Sequence, residues 1–431
     1  MSAEAAGDAS AAGDASAAGD ASAAGGEPER TGANRAGATG ADDEVPLRVS
    51  TLEIFFDLVF AFTLTQLTAV LATRLSWLSA VQVLLIFGLL WWMYGAYAWL
   101  TNARPPVHTV ERLLLLVGMA GFLIIGLTIP RGFGRYGAVL GLGYLLVVVV
   151  HAGLYYRVNA NILRVAPFNV ASAVLVTVAG LIHGPAGAAG PASYALWVAA
   201  LAVQLGSPLI VHPSDFFELR PDHFCERHSA LLIVAIGESV AAVAIGASGP
   251  ARYGPVSFRL LASAVFGLAV AAAMWWIVFG AGDEERAQRV LSAASGARRT
   301  ALALSALFYG NIPLLLGLVA LAAGIQREVV QAAGRAAPAS GTAVWAGQAI
   351  LLACGAALFL AGEAVIRRTL GTGPWRPRAV AAAAALATTL PGLLAGLVTQ
   401  LVLVAAVLVA PLLAEARIEG APATHGDYGA G

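Results

Sequence analysis

Ionisable side chains interrupt two otherwise apolar stretches of this chain, and these residues could carry chemistry. The first stretch begins Glu53-Ile-Phe-Phe-Asp57 and has Gln66 further along. Glu53 and Asp57 would share one helix face, where two carboxylates repel each other. Either a cation such as Arg48 or a distant arginine lies between them, or one carboxyl keeps a proton. For Glu53, a solvated place at the helix start is the alternative.

The second stretch carries the polar run His223-Phe-Cys-Glu226-Arg227-His228 and then, after an apolar interval, Glu238. Glu238 would lie about 18 Å further along a helix axis than Glu226. An ionisable group at that depth of a bilayer costs at least ~2.5–3.5 kcal/mol. We therefore expect Glu238 to be neutral, paired across helices or facing water, and it is the strongest single functional candidate. A buried structural acid is the alternative.

Three further polar residues are weaker candidates. Asn311 precedes Pro313, where a kink would free backbone carbonyls. His151 lies late in an apolar run, where a buried histidine bonded to backbone is the simpler interpretation, and Ser239 directly follows Glu238. The spacing of Cys, His and acidic residues predicts no metal site, and no phosphate loop or catalytic motif occurs. No metal, no cofactor and no catalytic residue is expected.

Two other features are predicted to be structural. Glu363 and Arg367 are placed to form the usual i,i+4 ion pair of a helix surface. The pattern Gly137-xxx-Gly141 allows two helices to approach closely.

The elements that must position these residues are membrane-spanning helices. Of 431 residues, 59% are hydrophobic and 12% are charged, and the net charge is zero. Soluble domains carry about 25% charged residues, so we predict an all-α polytopic protein with a lipid bilayer as its surroundings and no nucleic-acid partner. About twelve runs are long enough to span. They cover residues 52–73, 79–100, 110–130, 136–156, 165–183, 193–211, 226–247, 257–280, 300–324, 343–366, 377–392 and 394–415.

The flanking segments differ from this core. Residues 1–47 contain Gly-Asp-Ala-Ser-Ala-Ala in tandem and little bulky apolar surface, which predicts a disordered tail. Residues 48–415 form the predicted membrane domain, and 416–431 a short second tail. If the N-terminus lies in the cytoplasm, most arginines of the domain fall in the cytoplasmic segments. The positive-inside rule therefore predicts both termini in the cytoplasm, and the membrane is predicted to be a bacterial inner membrane.

Weak internal similarity suggests two parallel six-helix repeats, residues 48–212 and 213–415. The first and seventh runs each open with an acid, and the second and eighth carry Trp91-Trp92 and Trp275-Trp276. The last two runs share one tract interrupted at Pro391-Gly392, so a single kinked helix is the alternative there.

The two polar stretches resemble the paired hallmark motifs of the bacterial low temperature requirement protein A (LtrA) family, in the same order along the chain. The resemblance covers about residues 48–415 and implies membrane location and topology rather than a substrate. Cys225 departs from the small residue expected there. The positions that match the family's characteristic polar residues are Glu53, Asp57, Gln66, Glu226, Arg227, His228 and Glu238.

These observations favour a secondary transporter or permease for a small molecule or ion, with proton coupling through Glu238 and the acidic pair of the first run. Two alternatives stay open. One is a membrane-integral enzyme or lipid-acting protein that uses His223, Glu226 and His228 at the inner face. The other is a structural or sensory protein of cold adaptation, in which the polar residues only hold helices together. A homo-oligomer is compatible with all three.

Overall fold

The computed structural model describes residues 49–156, 162–182, 187–211, 219–247, 257–280, 282–334 and 342–419. Within these ranges the chain is helical and contains no strand, which confirms the all-α prediction. The predicted tail 1–47 lies outside the described residues, and so does nearly all of 416–431.

The described residues form a succession of helices joined by short turns. A 3-10 turn, Ile129–Arg131, follows the third helix, and a π-helical turn, Leu304–Tyr309, follows the tenth. The helices are α1 Thr51–Thr73, α2 Trp77–Ala103, α3 Thr109–Thr128, α4 Gly137–Tyr156, α5 Ile162–Leu181, α6 Pro191–Ile210, α7 Pro221–Ala247, α8 Phe258–Phe279, α9 Asp283–Ala293, α10 Gly296–Ala303, α11 Asn311–Ala332, α12 Thr342–Leu370, α13 Arg376–Ala387, α14 Thr389–Ala395 and α15 Leu397–Glu419.

Eleven helical stretches of the described chain are long and apolar enough to cross a membrane. They are α1 to α5, α7, α8 with α9, α10 with α11, α12, α13 with α14, and α15. The chain is therefore a multi-pass membrane protein. The predicted sixth span is α6, which falls outside the eleven and carries the buried polar residues Ser193, Gln204 and Ser207. It still packs against α5 and α2 as a bundle member.

The last apolar tract forms two spans, and the chain breaks later than the sequence suggested. Pro391 and Gly392 lie inside α14, where Pro391 occupies the first turn and gives up no helical hydrogen bond. The break is at Gly396. Its φ of 98° is a conformation that glycine adopts readily because it has no Cβ. Arg378 in α13 binds Glu415 in α15, so the two spans run antiparallel.

The two parts of the chain share one order of helix neighbours. In the first, α1 packs on α3, α3 on α4, α4 on α5, α5 on α6, and α2 contacts α6. In the second, α7 packs on α11, α11 on α12, α12 on α13, α13 and α14 on α15, and α8 contacts α15. The twofold repeat stays a prediction, with this shared order in its favour.

Aromatic side chains fix α2 against α1. The rings of Phe60 and Tyr94 lie 4.5 Å apart, and Trp91 stacks on Tyr94 at 5.3 Å. Phe56, one turn before Phe60, contacts Tyr97 at 5.1 Å. These contacts turn Tyr94 toward the polar face of α1.

Close contact between α4 and α5 depends on glycine. A Cβ placed at Gly141 would overlap the Cα of Thr177, and one at Gly180 would overlap the backbone of Gly137. Gly153, near the other end of α4, has open space around it. The small-residue pattern in α4 therefore marks a backbone contact.

Gly141→Ala is expected to lower the free energy of unfolding by about 1–3 kcal/mol, because α4 and α5 must separate to admit the methyl group. Gly153→Ala is the matched control in the same helix, and should be neutral or slightly stabilising because alanine favours helix. Thermal unfolding in detergent measures both. Equal midpoints for the two variants would contradict the close contact.

Candidate functional site

The start of α1 places Glu53 at the bundle interior. Ser50 caps the helix, since its Oγ accepts from the Glu53 N–H at 3.3 Å while its own N–H donates to Glu53 Oε2 at 3.0 Å. This reciprocal capping box holds the glutamate backbone and one carboxylate oxygen. Glu53 is 1% exposed, so it is not the solvated helix end that the sequence left open.

Arg227 of α7 is the cation between the two acids of α1. Its Nη1 lies 3.0 Å from Glu53 Oε1, and its Nη2 lies 3.4 Å from Asp57 Oδ1. Nη1 also donates to Thr101 Oγ1 of α2. Arg227 and Asp57 are 0% exposed. A distant arginine thus resolves the repulsion predicted for Glu53 and Asp57, and it joins α1, α2 and α7 at one point.

Aromatic rings complete the surroundings of this ion pair. The Tyr94 hydroxyl donates to Asp57 Oδ1 at 3.0 Å. The guanidinium carbon of Arg227 lies 5.4 Å from the Phe56 ring centre and 5.8 Å from that of Tyr94, within cation–π range. Within the described structure, Asp57 Oδ2 and Arg227 Nε have no hydrogen-bond partner. The site therefore keeps one free carboxylate oxygen.

His223 extends the site through a fixed hydrogen-bond chain. The Arg220 N–H donates to Asn102 Oδ1 at 3.0 Å, and Asn102 Nδ2 donates to the Arg220 carbonyl at 2.9 Å, which sets the orientation of the amide. Asn102 Nδ2 also lies 3.4 Å from His223 Nδ1. Nδ1 is then an acceptor, and the proton sits on Nε2, 3.2 Å from Glu53 Oε1. In this tautomer His223 donates a hydrogen bond to Glu53.

The charges of the described residues at this site do not balance. Glu53 and Asp57 carry two negative charges when ionised, against the single positive charge of Arg227 among the residues that the structure describes. A neutral His223 adds none. An uncompensated charge in a low-dielectric interior is costly. The arrangement therefore has room for one proton beside its ion pairs, and the free Oδ2 of Asp57 is a place for it.

Glu238 does not join this site. It lies further along α7, where its Oε2 accepts from Thr65 Oγ1 of α1 at 2.6 Å. Its Oε1 and the Ser239 hydroxyl are buried without a hydrogen-bond partner in the described structure. Gln66, which directly follows Thr65 in α1, is half-buried. Glu238 and Asp57 thus make separate helix contacts. The earlier residue of α1, Glu53, contacts the earlier residue of α7, Arg227, and the later Thr65 contacts the later Glu238. Helices α1 and α7 therefore run parallel.

The remaining residues of the α7 polar run have different partners. Glu226 Oε2 accepts from the Val49 N–H at 3.2 Å. His228 Nδ1 lies 2.8 Å from the Phe224 carbonyl, and the two rings are 4.3 Å apart. His223, Glu226 and His228 therefore do not converge on one point.

A second buried ion cluster was not foreseen from the sequence. The expected Glu363–Arg367 pair is wrong, because Glu363 binds Arg378. Arg367 instead binds Asp283 at 2.7 Å and Glu415 at 3.0 Å. Arg378 also binds Glu415 at 3.0 Å. The tertiary packing of α12, α13 and α15 overrides the local i,i+4 spacing.

One signal could have revealed this cluster. Arg378 and Glu415 fall inside the predicted spans, at the ends of the last two, where an ionisable residue needs a partner. Asp283 gave no such signal, because it follows an apolar run and resembles an ordinary loop residue.

The weaker candidates lie apart from the charged site. Asn311 begins α11 directly after the π-helical turn, and its Nδ2 donates to the Leu307 carbonyl at 2.6 Å. His151 is buried on α4 with its ring 5.2 Å from Tyr97. Among the described residues, no group of three His, Cys, Asp or Glu could hold a metal ion.

The family of the chain can now be stated. Residues 48–413 match the family described as bacterial low temperature requirement A protein. The chain belongs to this family. An uncharacterized protein of Rhizobium meliloti (strain 1021) is 24% identical over 290 residues, which cover 64% of this chain and 68% of that protein. No solved structure matches the chain. The match spans both polar stretches, and Glu53, Asp57 and Arg227 from these stretches form one buried site in this chain.

Replacing the central arginine tests what holds this site together. Arg227→Met should lower the free energy of unfolding by about 3–5 kcal/mol, because it leaves buried carboxylates without a cation. The triple variant Glu53→Gln, Asp57→Asn, Arg227→Met should recover a large part of that loss. Thermal unfolding in detergent measures both.

Arg104→Met is the control. Arg104 pairs with Glu111 at 3.4 Å, and both side chains reach solvent, at 42% and 11% exposure, so its loss should cost less than that of Arg227. If the triple variant is no more stable than Arg227→Met alone, then unpaired charge is not the cause of the loss.

Proposed function

We propose that this protein is a proton-coupled secondary transporter of a small molecule, with Asp57 as the proton-binding residue. The observation that carries the proposal is the excess of carboxylates over cations among the described residues of the α1–α7 contact, in a site removed from solvent. A transporter needs a group whose charge changes during the cycle without water to compensate it, and Asp57 can bind one proton at its free Oδ2.

The position of the site suits such a role. It lies where the first helices of the two predicted six-span halves meet, and these helices run parallel, as a parallel repeat requires. Rocking of one half against the other would change the distance between Arg227 and the acids of α1. Protonation of Asp57 would then be linked to the relative position of the halves.

The interruption between α10 and α11 adds to the argument. Transporter sites form at discontinuous helices, because an irregular segment frees backbone groups and can change its register. The π-helical turn Leu304–Tyr309 is such a segment, and the Phe308 carbonyl accepts from Trp91 Nε1 at 3.0 Å.

Glu238 is proposed as a second proton-binding station. Its described hydrogen-bond partner is a hydroxyl, so an ionised Glu238 would stand uncompensated in a span, which favours the neutral acid. The orientation proposed from the arginine distribution places Glu53 near the cytoplasmic side of a bacterial inner membrane and Glu238 deeper in the bilayer. The scaffold alternative accounts for the helix contacts of Arg227 but not for the free Oδ2 of Asp57, and the residues named for the enzyme alternative do not converge.

Asp57→Asn is expected to abolish proton coupling, because asparagine keeps an acceptor for Tyr94 but cannot bind and release the proton. Everted membrane vesicles with a pH-sensitive dye, challenged with a panel of metabolites taken from profiling of a deletion strain, report the coupling. A compound that collapses the pH gradient in wild-type vesicles should do so at least tenfold more slowly in the variant.

Glu111→Gln is the matched control, since Glu111 pairs with Arg104 at the start of α3, outside the network. It should leave the response unchanged. A full response from Asp57→Asn at normal protein levels would contradict the proposal.

Glu238→Gln is expected to shift the pH dependence of the same response while leaving Asp57-dependent coupling in place, because Glu238 binds Thr65 away from the ion pairs. The measurement is the rate of gradient collapse over a pH series. An unchanged pH profile would remove Glu238 from the proton pathway.

A further inference from the structure

A cavity of about 130 Å³ lies beside the charged network, on another face of α2. Helices α2, α4, α5 and α6 and the π-helical turn line it, and it is open on one side. Within the described part of the chain, no arginine, aspartate or glutamate lines the cavity. Five aromatic side chains line it, together with aliphatic residues and the polar side chains of Asn169 and Ser207; the aromatic residues are Trp92, Trp99, Tyr155, Phe308 and Tyr309. A charged ligand would find no counter-ion there, whereas a neutral aromatic ring would meet rings on several sides.

The size of the cavity limits the ligand to about one ring. An apolar protein cavity of about 150 Å³ is known to hold benzene. A cavity of 130 Å³ therefore suits a single aromatic ring with a small substituent. A nucleotide, a sugar phosphate or a peptide would be too large.

One buried polar atom of the lining that has no hydrogen-bond partner in the described structure gives the cavity chemical selectivity. His151 lines it at 3% exposure, and its Nε2 has no hydrogen-bond partner in the described structure. A neutral imidazole with its proton on Nδ1 presents Nε2 as a hydrogen-bond acceptor. A buried acceptor without a partner favours a ligand that donates a hydrogen bond.

Stacked rings connect the cavity to Asp57. Phe308 lines the cavity and stacks on Trp91 at 5.6 Å, and Trp91 stacks on Tyr94 at 5.3 Å. The Tyr94 hydroxyl binds Asp57. Phe308 can lie this close to α2 because Gly95 has no side chain. A Cβ at Gly95 would overlap the Phe308 ring. A ligand that displaces Phe308 would press on the side chain that holds Asp57.

We infer that this cavity binds a neutral, single-ring aromatic molecule bearing an O–H or N–H group, which donates to His151 Nε2. The further statement that this molecule is the transported substrate rests on the proposed function. Binding itself does not, so the two can fail separately.

Binding of 4-fluorophenol to the full-length protein in phosphatidylcholine nanodiscs, followed by fluorine NMR, tests the cavity. Val165 lines the cavity, so Val165→Trp should fill it and weaken binding at least tenfold. Val174 lies on the opposite face of α5 and is 47% exposed, so Val174→Trp should bind like wild type. Equal binding by the two variants would assign the signal to the bilayer and overturn the inference.

The hydrogen bond is tested with His151→Phe, which keeps a ring in the wall but removes the acceptor. Its affinity for 4-fluorophenol should fall about tenfold, the size of one hydrogen bond to a buried group. Its affinity for 4-fluoroanisole, which has no donor, should stay unchanged. Equal losses for both compounds would overturn the role of Nε2.

The occupant of the cavity is tested by the lipids that co-purify with the protein. Lipid acyl chains that co-purify with wild type but not with Val165→Trp would show that the cavity holds lipid, and would overturn the inference of an aromatic ligand.

The binding experiment and the proton-coupling experiment test the two proposals separately. If 4-fluorophenol binds as expected but Asp57→Asn keeps full proton coupling, then the cavity stands and the proposed function falls. If Asp57→Asn abolishes coupling but no aromatic compound binds, then the proposed function stands and this inference falls.

Discussion

The structure depends on one constraint: a charge buried in a membrane-spanning bundle must be compensated by a neighbouring opposite charge or removed by a proton. Arg227 pairs with both Glu53 and Asp57 and compensates one of their two negative charges, and in doing so it fixes α7 against α1 and α2. The contact also sets the depth of both helices, since a shift by one turn would separate Arg227 from one of its partners. Neighbouring aromatic rings then exclude water from the pair, which strengthens the electrostatic interaction and makes any imbalance of charge costly.

The same constraint is met differently in the second part of the chain. There, two arginines and three acids from α9, α12, α13 and α15 form a larger cluster, with Arg378 binding both Glu363 and Glu415. That cluster ties helix ends together and lines a smaller cavity. The first part has an aromatic cavity among α2, α4, α5 and α6 instead.

Much of the fold follows from local sequence, and less of the site does. Apolar runs longer than a bilayer predict helices whatever their neighbours are, so most predicted spans agree with the helices. The break at Gly396 was missed because proline next to glycine is a strong local signal, yet Pro391 is harmless in the first turn of α14. The Glu363–Arg367 pair was wrong because i,i+4 spacing describes an isolated helix, while Arg378 offered Glu363 a partner from another helix.

The sequence by itself determined that this protein is a helical membrane protein, which residues are too polar for their place, and that Glu53 and Asp57 need a cation or a proton. Those conclusions rest on transfer free energies and helix geometry, which act within one segment. Only the tertiary structure decided that the cation is Arg227, that Glu238 stands apart with Thr65, and that His151 faces an aromatic cavity. Contacts between helices far apart in sequence depend on how whole surfaces pack, and no local pattern encodes that.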